Sequence, residues 1–127
     1  SFEKLSEVVG QDMSEKIKEI SFKIFKKASD YLNTKNIILA DTKFEFGLCN
    51  NGNLVLMDEI LTSDSSRFWI SESYQEGVSP ESLDKQFIRD YVKSISWNDS
   101  MPPPELPEDI VCKTFEKYKD LNRILMD

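Results

Sequence analysis

Residues 39–61 decide the fold of this chain, and they read LADTKFEFGLCNNGNLVLMDEIL. Two extended runs, 43–48 and 54–61, flank the dipeptide Asn51-Gly52. Asn-Gly between apolar runs is the strongest short-range signal for a β-hairpin, because both residues accept the left-handed backbone of a tight turn. We therefore predict two antiparallel strands that are joined at this dipeptide.

The turn also predicts which residues face each other across the hairpin. A two-residue turn, like a four-residue loop, places Glu45 opposite Asp58 and Lys43 opposite Ile60. Side chains alternate along a strand, so Asp41, Lys43 and Glu45 share one face. The other face is apolar and is predicted to form the core, with the side chains of Phe44, Phe46, Leu48, Val55 and Met57.

The pairing of Glu45 with Asp58 suggests a metal site. Like charges directly opposite each other destabilise a sheet, and a divalent cation between them would remove that cost. Hard oxygen ligands suit Mg²⁺, which usually keeps several waters and shares its coordination sphere with substrate phosphates. The alternative is that both acids point into solvent, with Lys43 near enough to soften their repulsion.

Helices are predicted on both sides of the hairpin. Residues 12–32 carry apolar side chains at helical spacing, and residues 108–125 do the same after a proline-rich connector. A short helix is predicted over 83–94, a buried strand over 37–40, and a polar, turn-like segment over 62–69. The expected fold class is mixed α/β, more specifically α+β, with an antiparallel hairpin flanked by helices.

Composition and charge restrict the function. The 127 residues suffice for one modest domain or one lobe of a larger one. A net charge of −7 argues against a nucleic-acid or anionic-membrane partner, although local basic sites for single phosphates remain compatible with it. Histidine is absent from the sequence, which excludes a histidine base and a Cys/His zinc site. The two cysteines are expected to be free thiols in a reducing cytoplasm.

Four sequence blocks together resemble the SAICAR synthetase family, the ATP-dependent ligases of purine biosynthesis. Residues 41–47 follow the family's D-x-K-x-E-F-G signature, and they are the most specific of the four. The other blocks are VLMDE at 55–59 with DSSRFW at 64–69, DKQFIRD at 84–90, and LPEDIV at 106–111. Their order and spacing agree with the family across residues 12 to 120.

The resemblance implies a fold similar to ATP-grasp and kinase-like enzymes, and it implies roles for matched positions. Glu45 and Asp58 are expected to hold Mg²⁺ ions that bridge the ATP phosphates. Lys43 is expected to contact a phosphate or the substrate carboxylate, and Asp41 to orient the reacting groups or accept the proton of the incoming amine. The expected ribonucleotide-binding residues are Asp64, Ser66, Arg67, Lys85 and Arg89.

The implied reaction joins L-aspartate to 5-amino-4-carboxyimidazole ribonucleotide and releases ADP and phosphate, through an acyl phosphate. Positioning and charge neutralisation dominate such phosphoryl transfer, so a histidine or a nucleophilic side chain is not needed. From the residues alone, Lys85 and Arg89 are better interpreted as a solvated helix face, with Asp84 and Asp90 as their partners.

The family's domain is longer than this chain, and its glycine-containing nucleotide lid has no counterpart here. We expect residues 1–127 to be a C-terminal part of such a domain without the N-terminal nucleotide-binding lobe. Such a chain is expected to be inactive alone and to self-associate through the surface that meets the other lobe. Two other functions stay open: a non-catalytic binding or regulatory fragment of the same fold, and an unrelated kinase-like phosphotransferase.

Overall fold

The computed structural model describes residues 1–98 and 100–126 as a chain of helices and short antiparallel strands. Its elements are α1 (Phe2–Val9), α2 (Gln11–Asn33), β1 (Ile37–Thr42), β2 (Glu45–Leu48), β3 (Leu54–Met57), β4 (Ser66–Ile70), a 3₁₀ turn (Ser71–Ser73), α3 (Gln86–Ser94) and α4 (Glu108–Met126). The predicted α+β class is confirmed. Within the described part of the chain, none of the helices is both long enough and apolar enough to cross a membrane.

The two long helices lie where their apolar periodicity predicts them. Helix α2 extends the predicted 12–32 by one residue at each end, and its end is followed by Asn36 in the left-handed region with φ 57°. Helix α4 begins directly after Pro107, with two acidic residues in its first turn that suit the positive end of the helix dipole. Helix α1 was not predicted, and α3 is shorter than the predicted 83–94.

The hydrophobic core lies on the ladder between β1 and β4. These strands are antiparallel, and β4 lies inside the segment predicted to be turn-like, so that prediction is wrong for residues 66–69. Strand β4 alternates, with Ser66 and Phe68 pointing inward. The buried apolar side chains are Leu32, Ile37, Leu39, Phe68, Leu83 and Leu121. The centre of the fold is therefore a pair of strands from distant parts of the chain, and α2 and α4 each add one buried leucine to the core beside it.

A β-bulge at Ala40 turns Asp41 out of this core. Leu39 pairs with Phe68 and Asp41 pairs with Arg67, so one extra residue stands in β1. Strict alternation after the buried Leu39 would have placed Asp41 on the core face. The bulge exposes the Asp41 carboxylate instead and brings it beside Arg67, a use of bulges that is common next to active sites.

The hairpin of β2 and β3 forms, but its predicted register is wrong by one residue. Glu45 pairs with Met57, not with Asp58. The loop has three residues between the paired Cys49 and Asn53, and Gly52 adopts φ 79° at its end. A type I turn followed by a left-handed glycine is the usual three-residue hairpin loop, and it shifts the pairing by one residue relative to a two-residue turn.

The register shift changes which apolar side chains share a face. Phe46 lies opposite Leu56, while Val55 and Met57 lie on the opposite side of the hairpin and are exposed. The backbone of Lys43 also pairs elsewhere than predicted, since its N–H donates to the Ser65 carbonyl at 2.9 Å. Every residue of β2 and β3 is half-buried or exposed, so the hairpin is peripheral to the core.

Candidate active site

A polar cleft of about 380 Å³ opens where the ends of β1 and β4 meet the start of α3. Five of the nine residues predicted for the site line this cleft, and the other four lie outside its lining. The lining residues are Asp41, Thr42, Lys43, Ser65, Ser66, Arg67 and Arg89. Their convergence follows from the pairing of β1 with β4, because that pairing joins segments about 25 residues apart in the chain.

Asp41 and Arg67 form a bidentate ion pair across the two strands. The Arg67 Nε donates to Asp41 Oδ1 at 2.9 Å and to Oδ2 at 3.0 Å, and its Nη2 also donates to Oδ2. These hydrogen bonds lower the pKa of Asp41 below its ordinary value, and Arg89 adds a smaller effect in the same direction. The Asp41 carboxylate is therefore ionised at neutral pH and weakly basic.

Lys43 bridges the two carboxylates that were predicted to bind metal. Its Nζ lies 2.6 Å from Glu45 Oε1 and 3.6 Å from Asp58 Oδ2. The hydrogen bond to Glu45, more than the charge of Asp58, raises the pKa of Lys43. Asp58 follows the end of β3 with φ 62°, a left-handed conformation that Asp accepts more readily than most residues. The two acids are thus brought together although they are not paired in the ladder.

The donor set of Glu45 and Asp58 fits a magnesium ion that is shared with a phosphate ligand. Both carboxylates are about half exposed, and both are held by one cation in this structure. Within residues 1–98 and 100–126, no three Cys, Asp or Glu side chains are close enough to hold a metal by themselves. Two carboxylates are nevertheless what Mg²⁺ usually takes from a protein when substrate phosphates complete its shell.

Two further ion pairs lie at the cleft and involve the predicted residues Asp64, Lys85 and Arg89. Lys85 Nζ donates to Asp64 Oδ1 and lowers the pKa of Asp64. Arg89 Nη1 donates to Asp84 Oδ1 at 2.6 Å. The alternative in which Asp84 and Asp90 are the partners of these cations is confirmed for Asp84, which pairs with Arg89, although Asp84 is buried rather than solvated. It is wrong for Asp90, whose carboxylate accepts a hydrogen bond from Gln86 instead.

Hydroxyl groups line the floor of the cleft. Ser66 is only 2% exposed, and its Oγ donates to Thr42 Oγ1 at 2.8 Å. Ser65 Oγ lies 3.4 Å from Ser66 Oγ, so three hydroxyls stand in a row beneath the charged groups. Ser66 can reach a ligand only through this small exposed area, and its predicted role in ribonucleotide binding stays a prediction.

Several residues of the site were missed from the sequence. Thr42 and Ser65 flank predicted residues, and only the strand pairing shows that their hydroxyls face the cleft. Asp84 opens the third block of the family resemblance, which could have marked it. Tyr118 of α4 lies near this cluster, and burial, followed by the charges of Asp64 and Asp84, raises its pKa. No local pattern distinguished Tyr118 from the other apolar residues of its helix.

An apolar groove of about 430 Å³ adjoins the polar cleft and shares two of its residues, Asp41 and Thr42. Helices α1 and α2 form its other wall, with Leu5, Ile17, Phe22 and Phe25. Asp41 of β1 therefore lines both the polar cleft and the apolar groove.

The polar cleft gathers three cations in a protein that is acidic as a whole. Lys43, Arg67 and Arg89 lie in its lining, and each is paired with at least one carboxylate, while the chain carries a net charge of −7. Guanidinium groups beside hydroxyls are suited to phosphate and carboxylate oxygens. The arrangement can hold a small anionic ligand next to a carboxylate pair that suits Mg²⁺.

Known proteins agree with this description. The chain is 50% identical over 125 residues to the phosphoribosylaminoimidazole-succinocarboxamide synthase of Cupriavidus metallidurans, a match that covers 94% of this chain and 41% of that protein. Its structure is similar to that of the SAICAR synthase from Saccharomyces cerevisiae complexed with SAICAR, with a TM-score of 0.82 and 42% identity over 98% of this chain and 42% of the other. It is also similar to a type-2 SAICAR synthetase in complex with ADP, with a TM-score of 0.65 and 32% identity over 92% of this chain and 39% of the other.

The chain spans about two fifths of the length of these relatives. The sequence profile of SAICAR synthetase matches residues 1–104, which is most of the chain and includes all nine predicted site residues. The chain therefore belongs to the SAICAR synthetase family.

Proposed function

We propose that this chain supplies the metal-binding and ribonucleotide-binding part of an ATP-dependent ligase. The ligase joins L-aspartate to 5-amino-4-carboxyimidazole ribonucleotide and yields SAICAR, ADP and phosphate. The observation that carries the proposal is the polar cleft, in which Asp41, Lys43 and Arg67 converge beside the pair of Glu45 and Asp58. The complexes of two relatives with SAICAR and with ADP support the ligand classes.

The ribonucleotide is bound through its anionic groups. Arg67 and Arg89 offer guanidinium groups to a phosphate or carboxylate, and Lys85 with Asp64 forms a polar pair for the sugar at the edge of the cleft. Arg67 and Lys85 already hold exposed carboxylates in this structure, so at these two side chains a ligand exchanges one anion for another. Because exposed ion pairs contribute only about 0.2–1 kcal/mol each, this exchange costs little.

The first chemical step activates the substrate carboxylate. Its oxygen attacks the γ-phosphorus of ATP, and the bond from that phosphorus to the β,γ-bridging oxygen breaks as ADP leaves. Lys43 would bind phosphate oxygens as a point charge, after moving away from one of its two carboxylates. Glu45 and Asp58 would hold Mg²⁺, whose chemistry is to neutralise phosphate charge and fix the phosphates in line.

The second step forms the amide. The amine nitrogen of L-aspartate attacks the acyl carbon, and phosphate leaves with the electron pair of the carbon–oxygen bond. Arg67 lowers the pKa of Asp41 in this structure, and an aspartate without that partner still has an ordinary pKa of about 3.9, so this carboxylate is a poor base in both cases. We assign Asp41 to orienting the incoming amine, and the surplus proton passes to water or to the departing phosphate.

The rest of the relatives' length is proposed to supply the nucleotide lobe. Exposed apolar side chains on several elements, among them Val8, Phe22 and Phe115, support self-association of the chain when that lobe is not present. A clean monomer in sedimentation, together with a cooperative unfolding transition in urea, would contradict this expectation. The free and exposed thiols of Cys49 and Cys112 support a cytoplasmic location, because such thiols persist in reducing compartments.

The test of the ligase assignment is ADP release that depends on both the ribonucleotide and L-aspartate. The chain is assayed alone and after mixing with the upstream part of the Cupriavidus metallidurans relative, which this chain does not match. Activity in the mixture alone, and its loss when L-aspartate is left out, is the expected result. ADP release that needs no amine would favour a kinase-like phosphotransferase. SAICAR binding with no activity in any mixture would favour a non-catalytic fragment.

A further inference from the structure

Asp84 is the one charged side chain that is buried in the described part of the chain, with 0% of its surface exposed. Removing a carboxylate from water costs free energy unless hydrogen bonds and a counter-charge compensate it. The proposed mechanism does not use Asp84. A fully buried carboxylate also cannot touch a ligand in the cleft, so its contribution to the site must pass through another residue.

The surroundings of Asp84 fix it firmly to the central strand pair. The Ser82 hydroxyl donates to Asp84 Oδ2, and Ser82 forms an isolated bridge with Trp69 of β4. The next backbone N–H, that of Leu83, donates to the Phe68 carbonyl at 2.9 Å. Ser82 and Leu83, the two residues that precede Asp84, are thus both attached to β4, which also carries Arg67 into the cleft.

The other partner of Asp84 is Arg89, whose side chain is partly exposed and lines the cleft. Arg89 Nη1 donates to Asp84 Oδ1 at 2.6 Å and lies 3.5 Å from Gln86 Oε1. Among the described residues these contacts involve Nη1 alone, which leaves Nε and Nη2 for an anion in the cleft. Asp84 therefore holds one edge of the guanidinium of a side chain that lines the cleft, and the other edge remains available to an anion.

We propose that Asp84 is a positioning residue that orders the Arg89 guanidinium toward an anionic group of the bound ribonucleotide. This inference rests on the proposed function and adds the group that prepares Arg89 for binding. Ordering an arginine side chain costs rotamer entropy. Asp84 orders the Arg89 side chain during folding, so binding of the ligand does not have to overcome this loss of entropy again.

Two effects of removing the Asp84 charge oppose each other. Loss of ordering weakens anion binding by about tenfold, from the entropy of one long side chain. Loss of a negative charge favours an anion. Asp90→Asn is the control for charge loss near Arg89, because it removes an exposed acid from α3, the helix of Arg89, and Asp90 contacts Gln86 rather than Arg89. The proposal requires the ordering effect to be the larger one.

The binding test uses this chain and SAICAR as the probe, with the dissociation constant measured by calorimetry. Asp84→Asn keeps the shape of the side chain and is expected to weaken binding about tenfold, while Asp90→Asn changes it by less than about twofold. In an Arg89→Ala background the further change Asp84→Asn is expected to have no effect on affinity. A purely structural role would weaken binding equally in both backgrounds, and that result would overturn the proposal. Tighter binding by Asp84→Asn would also overturn it.

A second measurement does not depend on the ligand. NMR of the arginine side chains reports whether rotation of the Arg89 guanidinium is slow, as expected when Asp84 holds one edge, and whether it becomes fast in Asp84→Asn. Slow rotation in both proteins would overturn the positioning role. Absence of SAICAR binding to the unchanged chain, with rotation still released by Asp84→Asn, would refute the proposed function and leave the positioning of Arg89 standing.

Discussion

Replacing Arg67 with alanine removes one of three cations from the polar cleft and breaks the bidentate pair with Asp41. The two side chains are 46% and 51% exposed, and exposed ion pairs contribute about 0.2–1 kcal/mol to folding. We therefore expect the free energy of unfolding in urea at pH 7 to fall by about 1 kcal/mol or less. Binding of SAICAR, in contrast, loses a charge-assisted contact and is expected to weaken by about 10- to 100-fold.

The same variant has a defined pH dependence. Arg67 lowers the pKa of Asp41 in the folded chain, so the ion pair adds stability above the unfolded value of about 3.9 and loses it as the pH falls through the lower folded value. The difference in stability between the two proteins is expected to shrink in that acidic range. The Asp41 pKa, followed by NMR of its carboxyl carbon, is expected to rise in Arg67→Ala.

A matched control is Arg123→Ala, which removes an exposed arginine from α4 together with its 3.2 Å pair to Asp120. It is expected to change stability by a similarly small amount and to leave the Asp41 pKa and SAICAR binding unchanged. If Arg67→Ala lost more than about 3 kcal/mol of stability, the pair would have to be part of the core, and our reading of an exposed ligand-exchangeable pair would be refuted.

Three further predictions concern the metal site, the core and the hairpin. Glu45→Gln and Asp58→Asn are each expected to raise the Mg²⁺ concentration needed for half-maximal activity in the complete enzyme, and an unchanged Mg²⁺ response in both would contradict the metal assignment. Phe68→Ala, at a position that is 1% exposed, is expected to cost about 3–5 kcal/mol in urea unfolding, and a loss below about 1 kcal/mol would show that the core lies elsewhere. Gly47→Ala puts a Cβ 2.5 Å from the sulfur of Met57, and it is expected to cost about 1 kcal/mol or less, because that side chain is flexible and 47% exposed and can change its rotamer. That cost is expected to disappear in a Met57→Ala background, and its persistence would locate the strain in the backbone.

Elements with strong local patterns were predictable from the sequence. The long helices α2 and α4 follow from apolar periodicity, and the hairpin follows from Asn51-Gly52. The register was not predictable from that dipeptide, because Asn50, Asn51 and Gly52 together form the loop, and both turn lengths fit the same letters. Because the loop has three residues rather than two, Glu45 lies opposite Met57 in the ladder instead of opposite Asp58.

Strand β4 was missed for a different reason. Its first residues, Ser66 and Arg67, carry no apolar alternation, and it becomes a strand through pairing with β1 from far along the chain. The family resemblance identified the nine candidate residues, but the convergence of five of them in one cleft depends on that pairing and on the bulge at Ala40. Burial of Asp84 likewise depends on the contact of Ser82 with β4, and the sequence around Asp84 does not predict this long-range contact.

The most direct test of the polar cleft as a ribonucleotide site is calorimetric titration of this chain with SAICAR, compared between the unchanged chain and Arg67→Ala. We expect binding at a single site that weakens by about 10-fold or more in the variant and is unaffected by Arg123→Ala. Equal binding by all three proteins, or binding by none of them while urea unfolding shows that each is folded, would contradict the claim that the polar cleft is a ribonucleotide site.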